Sequence, residues 1–226
     1  MIRLCFTAIT CLTVNLLFSQ AEIPPTFNQQ MMLDNSELEN VEGTPYLQEE
    51  FNNGDIYYGG KHKIEQVPLR LDLFRDRLEF KNEQGAVMAF ANPERMDYVV
   101  IGKEVFIYLP KSKGSSVSGF LKTWNTRAPF LLTKMEIKFK KGEEAKPFDL
   151  HEPTQDRLER IPDKHFIMRD PNDIEKVTTV KKLIRYLGTH NEKLFEFAKK
   201  AEINDDEPEK LVKLVNYFQQ MEEAGR

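Results

Sequence analysis

Residues 67–85 read VPLRLDLFRDRLEFKNEQG, and this stretch decides the fold of the chain. Its apolar residues alternate with charged ones on either side of residues 75–77, with Leu69, Leu71 and Leu73 before them and Leu78 and Phe80 after them. Such alternation is the period of a half-buried strand. Two such runs joined by a short polar segment predict a β-hairpin, and residues 82–85 then form the next turn.

Further strands are predicted on both sides of this hairpin. Short apolar or aromatic segments alternate with turns rich in Gly, Pro and Asn: Gly54–Tyr58, Val87–Phe90, Met96–Ile101, Lys103–Leu109, Gly119–Trp124 and the run that follows Pro129. In that last run Leu131, Met135, Ile137 and Phe139 alternate with Lys134, Glu136 and Lys138, which predicts one continuous strand. Hairpin spacing throughout indicates an antiparallel sheet, a sandwich or a partial barrel.

The pattern changes near the C-terminus. Pro147–Pro162 reads as an irregular connection, and His165–Arg169 with Ile174–Val177 reads as a last hairpin. Three helices follow, each with apolar residues at helical spacing: Val180, Leu183, Ile184 and Leu187; Leu194, Phe197, Ala198 and Ala201; Leu211, Leu214, Val215 and Phe218. Gly188 suits the end of the first helix. Asp206, Pro208 and Glu209 suit the start of the third as cap, first turn and capping-box partner.

The first twenty residues resemble a secretory signal peptide. A basic residue, Arg3, precedes the apolar stretch Leu4–Phe18, and small residues follow it. A retained N-terminal anchor and a lipidated Cys11 are the alternatives. Because Cys5 and Cys11 are the only cysteines, a chain cleaved near Ser19 has no thiol and forms no disulfide.

The fold class predicted from the sequence is therefore α+β, an antiparallel sheet or partial barrel of about seven to nine short strands followed by a three-helix unit. The predicted divisions are a signal peptide (1–20), a flexible N-terminal arm (21–50), an antiparallel β region (51–145), a connection with a β-hairpin (146–177) and a C-terminal helical unit (178–226). We expect an exported protein, either periplasmic or at the cell surface.

Charge and hydropathy exclude two classes of partner. The formal net charge is −4, so there is no general basic field to attract nucleic acid. After residue 20 no apolar run is long enough to cross a membrane as a helix.

Several short motifs occur in an order that resembles a group of small exported Bacteroidota proteins with signal peptides and no assigned activity. The motifs are Gly43–Leu47, Val67–Arg70, Leu78–Asn82, Gly119–Leu121, Phe130–Leu132, Lys146–Phe148, Lys181–Leu183, Leu194–Lys200 and Leu211–Tyr217. The resemblance implies an exported location and a β-then-α layout. It implies no cofactor, substrate or catalytic residue.

No catalytic or metal motif stands out. The four histidines, His62, His151, His165 and His190, lack the close spacing of zinc ligands. No serine in the loop Lys111–Ser118 is flanked by glycines in the manner of a nucleophile elbow. Adjacent carboxylates such as Asp205-Asp206 and Glu222-Glu223 suit solvated helix faces. We therefore predict no cofactor, no metal and no assigned catalytic residue.

Two features could serve binding. Five aromatic residues on predicted strands are candidate ligand contacts: Tyr57, Tyr58, Phe106, Tyr108 and Trp124. If the sheet is open on one side, these rings could line a groove for an apolar ligand or a peptide; otherwise they belong to the core. A basic cluster of Lys111, Lys113, Lys122 and Arg127 could meet an acidic partner or form an ordinary charged loop.

Three hypotheses of function follow. The first is a non-enzymatic binding or interaction module whose partner is an envelope protein. The second is a carrier that holds a lipid-like ligand in a curved β-sheet. The third is an enzyme whose carboxylates and histidines come together only in the folded chain.

Overall fold

The computed structural model describes residues 23, 27, 30–32, 36–112, 116–143, 154–205 and 207–225. The predicted signal peptide, His151, Lys113 and the capping residue Asp206 lie outside these residues. The predicted fold class is confirmed, since the chain forms an antiparallel β-sheet followed by three C-terminal helices.

Thirteen strands and three helices are described. The strands are β1 (Gln30–Met32), β2 (Asn52–Tyr58), β3 (His62–Asp72), β4 (Arg77–Lys81), β5 (Val87–Phe90), β6 (Met96–Ile101), β7 (Glu104–Leu109), β8 (Gly119–Thr123), β9 (Phe130–Lys134), β10 (Ile137–Lys140), β11 (Arg157–Arg160), β12 (Lys164–Asp170) and β13 (Asp173–Val177). The helices are α1 (Val180–Leu187), α2 (Asn191–Lys200) and α3 (Pro208–Ala224).

Eleven strands form one sheet in the order β1-β5-β4-β3-β2-β6-β7-β8-β9-β12-β13, and β10 pairs with β11 in a separate two-stranded sheet. Neighbouring strands are antiparallel throughout. The strands outnumber the seven to nine predicted. β1 lies in the predicted arm, and β11 lies in the segment predicted to be irregular.

The organising hairpin is confirmed as β3 and β4. Leu69 pairs with Phe80 and Leu71 with Leu78, and all four side chains are buried. Residues directly opposite each other in an antiparallel pair point to the same face of the sheet. We call the face that carries these apolar residues the inner face, and the opposite face the outer face.

The inner face is filled by two apolar clusters. The first joins side chains of strands β2 to β8, with Ile56, Phe80 and Phe106 among its most buried members. The second lies under the helices, where Leu131 of β9 and Ile167 of β12 contact the apolar stripes of α1, α2 and α3. Side chains of this one sheet therefore build both cores.

The turn between β3 and β4 reaches across the inner side of the sheet to β8 and β9. Asp76 Oδ1 accepts the Phe120 N–H at 3.1 Å and lies 2.7 Å from Lys134 Nζ. Lys134 Nζ also donates to the Phe120 carbonyl at 3.3 Å. In a flat sheet β3 and β8 would lie about 19 Å apart, which is four strand spacings. The Asp76–Lys134 clasp therefore holds the sheet in a curled, partly closed form.

The outer side of the hairpin carries charges that are buried. Asp72 and Glu79 are 0% exposed. Glu79 accepts from Arg70 Nη2 at 2.8 Å, and Asp72 accepts from Arg75 Nη1 at 3.1 Å. Because an unpaired buried carboxylate costs several kcal/mol, these arginines are required for the hairpin to tolerate its own acidic residues.

The prediction of one continuous strand after Pro129 is wrong. The structure divides it into β9, which belongs to the large sheet, and β10, which pairs with β11. Lys134 is buried rather than solvent-facing because Asp76 holds it, and Phe139 is 45% exposed rather than in the core. β9 is mostly buried and β10 is mostly exposed. The alternation of apolar and charged residues in the sequence does not reveal this difference.

The predicted helical stripes are confirmed where they meet the sheet. Leu183, Ile184 and Leu187 of α1 are buried, as are Leu194, Ala198, Leu211, Leu214, Val215 and Phe218 of α2 and α3. α1 begins after Thr179, whose hydroxyl accepts the Lys182 N–H, and ends at Gly188, where φ is +83°. Among the described residues, no helix combines the length and the apolar character needed to span a membrane.

Gly119 provides a test of the clasp. A Cβ atom at Gly119 would overlap the Asp76 carboxylate and lie 2.6 Å from Lys134 Nζ. We expect Gly119→Ala to lower the free energy of unfolding by about 2–4 kcal/mol, from overpacking together with its positive φ. Urea denaturation measures this change.

Gly60→Ala is the matched control, because Gly60 also has a positive φ of +72° but nothing lies within 4 Å of its Cβ position. Gly60→Ala should lower the free energy of unfolding only by the backbone strain, about 1 kcal/mol. Equal destabilisation by the two substitutions would show that the clasp contributes nothing.

Candidate functional site

A groove of about 870 Å³ crosses the outer face of the sheet. We call it the outer groove. Its floor is made of apolar side chains from three strands: Val105, Ile107 and Leu109 of β7, Phe130 of β9 and Met168 of β12, with the polar Thr123 of β8 between them. Its volume is within the range of small-molecule sites.

Strand register explains why these side chains share a face. Val105 pairs with Thr123 and Phe130 with Met168, so each pair projects to the same side of the sheet. Leu109, Leu121, Leu132 and Phe166 are buried and pack beside the half-exposed Ile107 and Phe130 on this same face. Each strand that carries the floor has a bonded neighbour on both sides, although β6 pairs with β7 only at Glu104–Phe106 and β9 pairs with β8 only at Lys122 and Thr123.

The rim of the outer groove is polar. Lys103, Glu104, Lys122 and Asn125 line it near the β6–β7 turn, and Arg169 and Asp170 line it at β12. Lys122 Nζ donates to Glu104 Oε1 at 2.6 Å. Arg169 Nη2 donates to the carbonyls of Tyr186 and Leu187 at 2.6 Å and 3.1 Å, so this side chain caps α1.

Trp124, the only tryptophan of the chain, forms part of the wall. Its Nε1–H donates to Thr133 Oγ1 at 2.8 Å, and Thr133 Oγ1 lies 2.9 Å from His165 Nδ1. Lys122 Nζ lies 4.0 Å from the centre of the ring. The indole is therefore fixed at its edge by a buried hydroxyl and over its face by a cation.

Two tyrosines extend the groove at β6. Tyr98 is 37% exposed, and its ring stacks on Tyr57 of β2 with centroids 4.2 Å apart. Lys63 lies over the other side of Tyr57, 5.2 Å from the ring centre. Hydrogen bonds to Glu65 and Asp55 raise the pKa of Lys63, so it remains cationic at neutral pH.

Tyr108 lies at the boundary between the outer groove and the inner core. Its ring contacts Phe120 edge-on, with centroids 5.0 Å apart, although the residue also lines the groove. Burial raises the pKa of Tyr108, and the negative charges of Asp76 and Glu94 act in the same direction. The phenol is therefore protonated at neutral pH and can donate a hydrogen bond.

The five aromatic residues singled out from the sequence do not form one site. Trp124 and Tyr108 line the outer groove, and Tyr57 adjoins it through Tyr98. Tyr58 stacks on His62 and contacts Phe27 edge-on, while Phe106 is 1% exposed within the first core cluster.

Other expected features are engaged in structural contacts. Within the predicted basic cluster, Lys122 pairs with Glu104, and Arg127 pairs with Glu223 of α3. Of the histidines, His165 contacts Thr133, and His190 Nε2 lies 3.4 Å from Glu222. In the described part of the chain no three His, Cys, Asp or Glu side chains come together as a metal site.

Sequence reasoning did not find the floor of the groove. Ile107, Phe130 and Met168 come from three strands, and only the register places them together. Tyr98 was not singled out either, although it is an aromatic residue on a predicted strand. Comparisons with protein-family models, with curated proteins and with solved structures give no match for this chain.

Thr133 tests how Trp124 is held. Thr133→Val removes the acceptor of the indole N–H while keeping the side-chain shape, and Thr133 is only 2% exposed. We expect a loss of about 1–3 kcal/mol in unfolding free energy and faster acrylamide quenching of Trp124 fluorescence. Thr133→Ser keeps the hydroxyl and should quench like the wild type. A valine variant that quenches like the wild type would contradict the proposed anchoring of the ring.

Proposed function

We propose that this chain is an exported, non-enzymatic binding protein whose outer groove holds the linear apolar chain of an amphiphile. The observation that carries the proposal is the apolar floor made by Val105, Ile107, Leu109, Phe130 and Met168. Val105, Ile107 and Phe130 are half-exposed, and Leu109 and Met168 are buried beside them. Partly exposed apolar side chains grouped in one concave site are typical of ligand contacts.

The dimensions of the outer groove favour an elongated ligand. Its lining residues come from β6, β7, β8, β9 and β12, which are consecutive neighbours in the sheet. Four strand spacings correspond to about 19 Å. A single extended hydrocarbon chain lying across the strands would contact the floor along this whole length.

The chemistry of the floor favours a hydrocarbon chain over a peptide. An extended peptide carries a backbone N–H and C=O at nearly every residue, and burying these without partners costs free energy. The floor strands are interior strands of the sheet, so none of them is an edge strand that a peptide could extend along its whole length. A hydrocarbon chain has no such polar groups.

Two further features support the proposal. Residues 1–20 have the composition of a secretory signal peptide, which fits a binding protein of the cell envelope. The inner face of the sheet is filled by side chains such as Ile56 and Phe106, so the outer face is where a curved-sheet carrier of this architecture would hold its ligand.

Decanol is a suitable neutral probe, and Trp124 provides the signal because it lines the groove. We expect purified protein to bind decanol with a change in Trp124 fluorescence, and Ile107→Asn to weaken binding by about tenfold or more. The amide would replace apolar contact and remain unpaired against the chain.

Val100→Asn is the matched control, since Val100 is half-buried on the same face, opposite Val105, but does not line the groove. It should bind decanol like the wild type. Calorimetry gives the same comparison without relying on fluorescence. The proposal fails if the wild type does not bind decanol, or if Ile107→Asn binds it with unchanged affinity.

A further inference from the structure

We propose that the outer groove selects amphiphiles with an anionic head group, which Lys103 binds at the β6–β7 turn. This inference rests on the proposed function, because it assigns the head of the same ligand whose apolar chain occupies the floor. It also gives the ligand a direction, with the head at β6–β7 and the tail toward Met168.

The charged groups of the rim differ in how they are engaged. Asp97 Oδ2 accepts the Gly60 N–H at 2.7 Å, and Asp170 Oδ1 accepts the Asn172 N–H at 2.8 Å. Arg169 donates to two carbonyls of α1. Lys103 is exposed and, among the described residues, makes no ion pair or side-chain hydrogen bond. It is therefore the rim cation that is free to meet a ligand.

Space and local charge favour an anion at this end. No atom lies within 4 Å of a Cβ position on Gly102, the residue before Lys103 in the turn. Lys122 is paired with Glu104 and lies opposite Phe106 in the register, so its side chain belongs to the inner face. At this turn Lys103 is therefore the one uncompensated cation among the described residues that line the groove.

At the β12 end of the outer groove, among the described residues, the unpaired rim charge is negative. There Asp170 lines the rim, and Arg169 is paired with Asp173, which lies outside the lining, at 3.6 Å. An anionic head placed at β12 would meet the Asp170 carboxylate and an arginine already engaged with Asp173 and α1. The same head at β6–β7 meets the surplus of positive charge, so charge complementarity fixes the orientation.

The shared chemistry of the head is its negative charge, which a carboxylate or a phosphate monoester could supply. Four probes with the same ten-carbon chain separate the possibilities: decanoate, decyl phosphate, decanol and decyltrimethylammonium. Calorimetry on the purified protein, below the micelle-forming concentration and at low salt, compares their affinities. Lys103→Ala tests the residue, and Lys181→Ala, an exposed lysine on α1, is the matched control.

We expect decanoate and decyl phosphate to bind more tightly than decyltrimethylammonium. Lys103→Ala should weaken the two anions by about fivefold, leave decanol unchanged and lose its effect at high salt. Lys181→Ala should change nothing. Binding of decanoate alone assigns a carboxylate head, and binding of both anions assigns a general anion site.

The experiment distinguishes a failure of the head-group inference from a failure of the proposed function. If none of the four probes binds, the proposed function itself is wrong. If decanol binds but the anions bind no more tightly than decyltrimethylammonium, the head-group inference is overturned while the groove stands. An equal loss of decanol and anion binding in Lys103→Ala would also overturn it, because a lysine that acts on the head should not affect a neutral chain.

Discussion

The salt bridge between Asp76 and Lys134 is the contact on which the shape of the sheet depends. It joins the tip of the β3–β4 hairpin to strands that lie four or more places away in the sheet, and Asp76 also binds the Phe120 N–H. The curled sheet then packs its inner face against itself. Side chains fill that interior, and the outer groove lies on the opposite face of the sheet.

The outer face has two regions with different physical character. At the hairpin, residues 45–51 lie over the sheet, and the Arg70 guanidinium lies 3.5 Å from the centre of the Tyr46 ring and 4.3 Å from that of Phe51. Buried ion pairs and stacked rings cover this region. Across β7 to β12 the floor is instead apolar and only partly buried, and there the outer groove forms. Residues 45–51 thus cover the charged hairpin end of the outer face, and the β7–β12 end remains an open groove.

Local sequence pattern predicted the elements whose environment is uniform. The β3–β4 hairpin and the three C-terminal helices each bury one regular stripe, so alternation or helical spacing was sufficient to find them. The run after Pro129 failed because its alternation continues through a change of sheet, and Lys134 is buried by a partner 58 residues earlier in the chain, Asp76. Such a long-range ion pair leaves no local signal.

The candidate site was only partly predictable, because it too depends on contacts between residues that are far apart in the sequence. Trp124 and Tyr108 were found because aromatic residues on strands are conspicuous, and the structure places both at the outer groove. Phe106 has the same local pattern but points to the core. The face that each ring occupies follows from register and from the direction of curl, and the floor residue Met168 joins the site only through the pairing of β9 with β12.

The central claim is that ligand binds on the outer face while the inner face stays closed. Intermolecular nuclear Overhauser effects between decanoate and the protein's methyl groups test it most directly. The account predicts contacts from the decanoate chain to Val105, Ile107 and Met168, and none to Ile56 or Leu71 of the inner core. Contacts to Ile56 and Leu71 without contacts to Ile107 would contradict it, because the ligand would then occupy the interior of the curled sheet.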